Sequence, residues 1–302
     1  MQNRFKYEEI TPSTLKSFNK SKTIFFVTIS PLENHGKHLP YGTDIFEGEG
    51  IINNITEKFE KDYPDWNIVL CPPITLGHGA MPGFGSIEIR QHVVRDFLTD
   101  YLSSITKLGF KHIFISGFHG NPRHLTAIDE AIIFVNKKYN SNIISPFGYA
   151  FMKIFTGKEK IPNKEIEAIF NKNKYDIHGG IFETSLLLHL KPDLVKEHTS
   201  MEEINLSVKN PIKKLKAVKK AFTNGYFGNP AGANQEIGEN MLNMIVEIFY
   251  ELLVQSIEDP TIVKKVKNNF HKHPYMRTHF IKKLFLSITF ILIPFLWLLK
   301  KK

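Results

Sequence analysis

The chain has almost no cysteine, since Cys71 is the only one in 302 residues. An intramolecular disulfide is therefore excluded, and the low cysteine content is typical of a reducing compartment. Cys71 ends the apolar run of residues 66–70, which predicts a small buried core residue and not a reactive thiol. The N-terminus lacks the apolar core of a secretory signal peptide. We therefore expect a cytoplasmic protein.

Acidic residues are missing after Asp259, whereas the last 43 residues contain ten lysines and arginines. The formal net charge of +9 belongs to this tail, because the rest of the chain has 29 basic and 30 acidic residues. A body of balanced charge gives no signal for nucleic-acid binding, and a long apolar stretch interrupts the basic residues of the tail. We therefore expect no nucleic-acid partner.

Several common catalytic motifs are also missing. The chain contains no G-x-x-x-x-G-K-[ST] phosphate loop, no H-E-x-x-H helix and no G-x-S-x-G elbow. The glycines of residues 77–85 lack the spacing of a dinucleotide fingerprint and do not open an obvious helix. These absences argue against phosphate-loop nucleotide hydrolysis, zincin-type proteolysis and serine-hydrolase chemistry.

One long hydrophobic run is present, at the C-terminus. Residues 284–299 are sixteen residues without a charge, bracketed by lysines. A helix of this length spans about 24 Å, against a hydrocarbon core of about 30 Å. The run is apolar on all sides, which favours a membrane anchor within residues 283–300, either spanning or interfacial. The alternative is a terminal helix that docks on the protein body or on a partner subunit.

Strand and helix signals alternate along the rest of the chain. Short β-branched or apolar runs predict strands over residues 23–30, 67–71, 113–116 and 142–145. Helical spacing predicts helices from Thr43 and over residues 89–108, 122–135, 179–190 and 236–254. This order predicts an α/β fold with a mainly parallel sheet and helices on both faces. Residues 153–174 are rich in lysine and predict an exposed excursion. We expect one domain over residues 1–258, followed by a basic linker and hydrophobic tail over residues 259–302.

The loop after the first predicted strand concentrates polar side chains in the segment PLENHGKHLPYGTD, residues 31–44. Glu33 and His35 point the same way in an extended stretch, and Asp44 can return to them from a helix start. Carboxylates with imidazole suit a divalent ion such as Zn²⁺, Mn²⁺ or Fe²⁺. Taken singly, Asp44 is equally compatible with helix capping, and His38 with a solvated surface position.

This segment, read as E-x-H-G-x-H-L-P-x-x-T-D, resembles the signature of the creatininase (creatinine amidohydrolase) family. Residues 116–121, SGFHGN, resemble the family's N-G-H-G-G-N turn. Residues 176–185, DIHGGIFETS, resemble its D-x-H-A-G-x-x-E-T-S segment, and residues 228–239 resemble its late G-D-P turn and helix. The resemblance runs through residues 23–253 and implies a three-layer α/β/α sandwich that assembles as a homo-oligomer.

The resemblance also implies roles for individual residues. Glu33, His35 and Asp44 match metal ligands, with Asp44 bridging two ions, and Glu183 matches a further carboxylate. His178 matches a histidine that acts near the substrate and donates a proton to the leaving nitrogen. The implied catalytic residues are therefore His178 and Glu183, and the implied cofactors are one or two divalent ions (Zn, Mn or Fe) per subunit.

One turn departs from the family pattern. Aligned without a gap, the ligand histidine of N-G-H-G-G-N falls on Phe118, which cannot bind a metal. With one glycine deleted it falls on His119, and we expect His119 to be the ligand. The alternative is an orphaned loop histidine and a weakened or single-metal site. In creatininase a glutamate ligand follows two residues later, and here Glu183 would have to replace it.

The function implied by the resemblance is metal-dependent hydrolysis of a C–N bond in a small molecule or a modified peptide, by a metal-activated water. Creatinine is not the expected substrate, because creatininase places tryptophans beside its pocket. Here Trp66 lies in a predicted strand and Trp297 in the tail. The alternative is a catalytically weakened relative that binds a ligand or partner at the membrane, a reading that Phe118 supports.

Overall fold

The computed structural model describes residues 3–172, 174–268 and 270–280. The predicted hydrophobic tail over residues 283–300 lies outside this part of the chain. Within the described residues, no helix combines the length and the apolar character needed to cross a bilayer. The anchor, and with it the association with a membrane, therefore stays a prediction.

Five parallel strands form one sheet in the order β1-β3-β2-β4-β5. The strands are β1 (Arg4–Lys6), β2 (Thr23–Thr28), β3 (Asn67–Leu70), β4 (His112–Ser116) and β5 (Asn142–Ile144). Strand β2 is central, and Phe25 pairs with Val69 on one side and with Ile113 on the other. Every residue of β2 is buried, as expected for a parallel strand covered on both faces. The predicted α/β fold with a parallel sheet is confirmed.

Nine α-helices accompany the sheet within the described residues. They are α1 (Pro12–Ser17), α2 (Thr43–Asp62), α3 (Gln91–Lys107), α4 (Pro122–Tyr139), α5 (Pro146–Phe155), α6 (Lys164–Lys172), α7 (Ile181–Leu190), α8 (Pro211–Asn224) and α9 (Gln235–Glu258). Helices α2, α3, α4, α7 and α9 are the five that the apolar spacing predicts.

The core is divided into two layers because successive side chains of a strand face opposite sides of the sheet. Ile24 and Phe26 pack with residues of α2, α5, α7 and α9. Phe25 and Val27 pack with residues of α3 and α4. Helices therefore cover both faces of the sheet, and the strand ends remain free to carry loops.

The prediction of an exposed excursion over residues 153–174 is only partly right, because most of its described residues are exposed but the segment also packs on the body. Helix α5 reaches Phe155, and α6 buries Ile166 and Phe170 in a small apolar cluster with Phe182 of α7. Ile166 and Phe170 are four residues apart and so share one face of α6. The lysines lie on the other faces of α6, so the lysine-rich composition of the segment does not reveal this buried pair.

The predicted linker packs against the body as far as the structure describes it. Val263 and Val266 are buried in the core layer of α9. Asn268 donates hydrogen bonds from its backbone N–H (2.8 Å) and its side-chain amide (2.6 Å) to Oδ2 of Asp129 in α4. The division of the chain at residue 258 stays a prediction.

Candidate metal centre

Five side chains meet beyond the carboxyl ends of β2 and β4, where open parallel sheets bind their ligands. All five are buried. They come from distant parts of the sequence: Glu33 and His35 from the loop after β2, Asp44 from the first turn of α2, His119 from the turn after β4, and Glu183 from the first turn of α7. These are the five metal ligands that the resemblance implies, and the structure brings all of them together.

The donor atoms form two sets that share Asp44. In the first, Nδ1 of His119 lies 2.7 Å from Oε1 of Glu33 and 3.4 Å from Oδ2 of Asp44. In the second, Nε2 of His35 lies 3.0 Å from Oδ1 of Asp44 and 3.5 Å from Oε2 of Glu183. Within each set one donor atom per residue lies within 4.8 Å of the others. Asp44 thus offers one oxygen to each set, which is the geometry of a carboxylate between two cations.

Backbone carbonyls orient the two imidazoles. Nδ1 of His35 lies 3.1 Å from the carbonyl oxygen of Glu33, and Nε2 of His119 lies 3.1 Å from that of His78. A ring whose N–H donates to a carbonyl directs its other nitrogen at the carboxylates, where that nitrogen binds a cation once its proton has left. Metal-binding histidines in proteins are held in this way.

Backbone N–H groups hold two of the carboxylates. Met81 donates its N–H to Oε2 of Glu33, and Gly179 donates its N–H to Oε2 of Glu183 at 2.6 Å. Gly179 has a φ of +59°, and a Cβ there would lie 2.8 Å from Cβ of Tyr226. A side chain at residue 179 would therefore be strained and crowded, which explains the glycine beside His178.

Opposing charges dominate the electrostatics of the donor set. Burial opposes ionisation of His35, but the carboxylates of Asp44, Glu183 and Glu33 outweigh it and raise its pKa to about 10. Burial also opposes ionisation of His119, but the carboxylates of Glu33 and Asp44 outweigh it and raise its pKa well above the ordinary value. Burial raises the pKa of Glu183 to about 8. The cluster therefore has an excess of negative charge that protons neutralise when no cation is bound.

The donor set fits divalent cations. Nε2 of His35 and Oδ2 of Asp44 are buried and, although they lie 3.0 Å and 3.4 Å from polar atoms of the set, neither makes a well-aligned hydrogen bond with a described residue. Buried polar atoms are nearly always hydrogen-bonded or bound to an ion, so these two atoms call for a ligand. Mixed carboxylate and imidazole donors suit zinc, manganese or iron.

His178 lies outside the two sets that share Asp44, although with Glu33 and His35 it forms a third group of donor atoms within 4.8 Å of one another. Its Nε2 is 2.9 Å from the carbonyl oxygen of Asn34, and its ring stacks on His35 with the centroids 4.4 Å apart. Its Nδ1 is 4.0 Å from Oε1 of Glu33 and faces the same cleft. Burial and the neighbouring His35 lower its pKa to about 4. His178 is therefore neutral at neutral pH, with Nδ1 as a proton acceptor.

The turn after β4 places Phe118 and His119 on opposite sides. His119 reaches Glu33 and Asp44, whereas the ring of Phe118 packs on Phe147 with the centroids 4.7 Å apart. The geometry therefore favours the alignment with one glycine deleted. Asn121, which follows His119 by two residues, caps α4 instead, accepting from the N–H of Arg123 at 2.9 Å.

Three supporting residues are not identified by the sequence reasoning. The solvated alternative for His38 is wrong, because its buried Nε2 lies 3.0 Å from both the carbonyl oxygen of Gly179 and Oγ1 of Thr184. Asp176 accepts from the backbone N–H groups of Ile181 and Asn229, both at 2.6 Å, and so closes the loop that carries His178.

The third is Glu47, which lies three residues after Asp44 on the same face of α2 and is fully buried. Burial raises its pKa well above the ordinary value, and neither of its carboxyl oxygens has a hydrogen-bond partner among the described residues. The spacing of three residues from Asp44 could have predicted that both carboxylates lie on one face of the helix.

An open cleft of about 240 Å³ gives access to these groups. Glu33, His119, His178 and Glu183 line it. The glycine-rich loop contributes residues 79–82. Substrate can therefore approach Nδ1 of His178 and the donor set from one side.

The chain is similar to known proteins over most of its length. A sequence model of the creatininase family, described as creatinine amidohydrolase, matches residues 8–253. A mycofactocin precursor peptide peptidase of Mycolicibacterium smegmatis is 25% identical over 240 residues, which covers 78% of this chain and 85% of the relative. A protein of the same description from Mycobacterium ulcerans is 25% identical over 193 residues, covering 62% and 66%.

Solved structures show the same fold. One described as "Creatininase Mn" superposes with a TM-score of 0.61 at 16% identity, covering 84% of this chain and 98% of its own. A crystal structure of creatinine amidohydrolase superposes with a TM-score of 0.59 at 17% identity and the same coverage.

Proposed function

Because the chain belongs to the creatininase family, we propose that it is a metal-dependent amidohydrolase with two adjacent cation positions. The first position is formed by Glu33, Asp44 and His119, and the second by His35, Asp44 and Glu183. The observation that carries this proposal is the sharing of one buried carboxylate, Asp44, by two buried donor sets.

The proposed substrate is the amide of a peptide or of a small peptide-like molecule. The curated relatives are described as peptidases of a precursor peptide, which supports a peptide over a cyclic amide. Creatinine is disfavoured because no tryptophan lines the cleft in the described residues. Trp66 packs in the core instead, against Phe59 and His112.

The chain's own residues supply proton transfer and orientation. A bound divalent ion would polarise a carbonyl oxygen and acidify a water molecule. Nδ1 of His178 accepts a proton and returns it to the leaving nitrogen, while the carbonyl of Asn34 fixes its tautomer. His178 thus acts first as a proton acceptor and then as the proton donor that the resemblance implies. Glu183 is assigned to cation binding, because Gly179 and His35 fix its carboxylate.

The non-catalytic alternative loses its main support. Phe118 would weaken the centre if it replaced the ligand histidine, but His119 occupies that place beside Glu33 and Asp44. The binding-module function is therefore the weaker candidate.

Metal analysis of the purified full-length protein tests the proposal. We expect close to two ions per chain in the wild type, about one in Glu33→Gln and almost none in Asp44→Asn, because only Asp44 serves both positions. Glu49→Gln is the matched control, since Glu49 is in the same helix but outside both sets. A folded wild-type protein that binds no zinc, manganese or iron would refute the proposal.

A further inference from the structure

An apolar cavity of about 120 Å³ lies beside the metal centre. Its walls come from α5, α6, α7 and α9 and from the turn after β4. They consist mainly of aromatic, aliphatic and methionine side chains, among them Phe118, Phe147, Phe151, Ile166, Phe182 and Met244. Among the described residues of this lining, Glu183 is the only one with an ionisable side chain, so the lining disfavours charged groups away from the metal centre.

The cavity and the catalytic cleft share a wall. Gly120, Ile177 and Glu183 line both, and His119 and His178 line the cleft on the other side of that wall. A Cβ at Gly120 would meet nothing within 4 Å, so the space at the junction is open. A group that fills the cavity is therefore within a few bonds of a carbonyl placed at the donor set.

The size of the cavity restricts its occupant. Engineered apolar cavities of about 150 Å³ stay dry and accept one benzene ring. The space here matches a single aromatic ring or a branched aliphatic side chain and is too small for an entire peptide. Met241 and Met244 in its wall can adjust to either shape, because methionine side chains are flexible.

We propose that this cavity binds the large apolar side chain, aromatic or branched aliphatic, of the substrate residue next to the scissile amide. The inference rests on the proposed function, since it places that amide at the metal centre. Phe118 contributes the wall because the shortened turn directs it onto Phe147. The same turn that brings His119 to the donor set thus shapes the cavity that selects the substrate.

Binding of four small amides to the full-length protein tests the inference. N-acetyl-L-phenylalaninamide and N-acetyl-L-leucinamide carry the proposed side chains, and the glycine and lysine analogues lack them. We expect the first two to bind at least about tenfold more tightly than the others, by calorimetry at a temperature where hydrolysis is slow. Equal dissociation constants across the series would overturn the inference.

Two cavity variants and a control sharpen the test. Ala150→Phe fills the cavity, and we expect it to weaken binding of the phenylalanine amide at least about tenfold without changing the glycine amide. Phe151→Ala enlarges the cavity and should shift the preference toward a naphthyl analogue, which covers the case that Ala150→Phe does not fold. Phe134→Ala is the control, because Phe134 is 49% exposed on α4, and it should bind all ligands as the wild type does.

The outcomes separate this inference from the proposed function. Discrimination among the amides by a protein that binds no metal would refute the hydrolase and leave the cavity as a binding site for apolar side chains only. Stoichiometric metal without discrimination would refute the cavity assignment alone. Decanoate that binds more tightly than every amide would identify a lipid chain as the occupant and overturn the assignment to a substrate side chain.

Discussion

At the scale of single residues, the donor set divides into a part that the sequence reveals and a part that it does not. Glu33, His35 and Asp44 lie within twelve residues, so alternation along an extended loop and a helix start are enough to group them. The sequence favours His119 over Phe118 only because phenylalanine cannot bind a metal, since a glycine-rich turn accommodates either register. The structure favours His119 because only that residue contacts Glu33 and Asp44.

His178 offers a prediction at this scale. In His178→Gln, loss of the proton acceptor should lower kcat by about 10²- to 10⁴-fold with KM little changed, because general base catalysis contributes that much. Steady-state kinetics on an amide substrate and metal analysis of the same preparation measure both effects. His273→Gln serves as a control, since His273 is exposed and outside the cleft. Loss of metal to the level of Asp44→Asn would show that His178 is a ligand instead.

At the scale of elements, strands and helices with a clear periodicity of apolar residues can be predicted from the sequence. Elements that form only because they pack on neighbouring elements cannot. The three residues of β1 show no pattern of their own, and pairing with β3 makes them a strand. Helix α8 is rich in lysine and buries only Ala221, so its apolar residues are too few to predict a helix from the sequence. Helix α6 is hidden by its lysines for the same reason. Tertiary contacts, which a single sequence does not display, decide these three elements.

The contact between α7 and α9 positions Glu183. A Cβ at Gly238 of α9 would lie 1.9 Å from the carbonyl oxygen of Ser185 in α7. Gly238→Ala should therefore push the helices apart and lower the free energy of unfolding by about 1–3 kcal/mol. It should also weaken metal binding at the position that uses Glu183. Urea denaturation and metal titration measure the two effects, with Glu239→Ala as the exposed neighbouring control.

The packing of residues 260–268 and 270–280 on α4 is expected to depend on pH. Burial raises the pKa of Asp129 to about 8, against partial compensation by Asn268 and Lys267. The folded state then holds a proton that the unfolded state has lost between about pH 4 and 8, so this group's contribution to stability falls as the pH rises through that interval. Glu130 and His271 are the other charged or titratable neighbours.

Asp129→Asn tests this dependence, because the amide keeps an acceptor for Asn268 and cannot ionise. The difference in unfolding free energy, variant minus wild type, should become more positive from pH 5 to pH 8, by at most about 1.4 kcal/mol per pH unit. Chemical denaturation at several pH values gives the difference directly. A difference that stays constant over this interval would contradict the assignment.

At the scale of the whole molecule, the centre joins segments that lie up to 150 residues apart, from residue 33 to residue 183. The sheet order explains the meeting, because β2 and β4 are neighbours and direct their following loops to one edge. The position of that edge could be predicted from the alternation of strands and helices. The approach of α7, which brings Glu183, could not, because it depends on packing against α2 and α9.

Metal ions should stabilise the folded chain as a unit. The unfolded chain separates the donors, so a cation binds the native state and raises its stability by about 4 kcal/mol at a free concentration 1,000 times the dissociation constant. Thermal unfolding with EDTA and with added Mn²⁺ or Zn²⁺ measures this gain as a higher midpoint. Asp44→Asn should show almost no shift. A wild-type midpoint that is equal in both conditions would count against the centre.

The adjacent residues Phe118 and His119 link substrate preference to catalysis. His119 belongs to the donor set and Phe118 to the wall of the apolar cavity, so a change in the length of this turn would displace both side chains. Catalytic competence and substrate preference would then change together. A homologue with a different turn length would need compensating changes in the metal centre and in the substrate pocket. A homologue with substitutions in α5 or α6 would change the pocket and keep the metal centre.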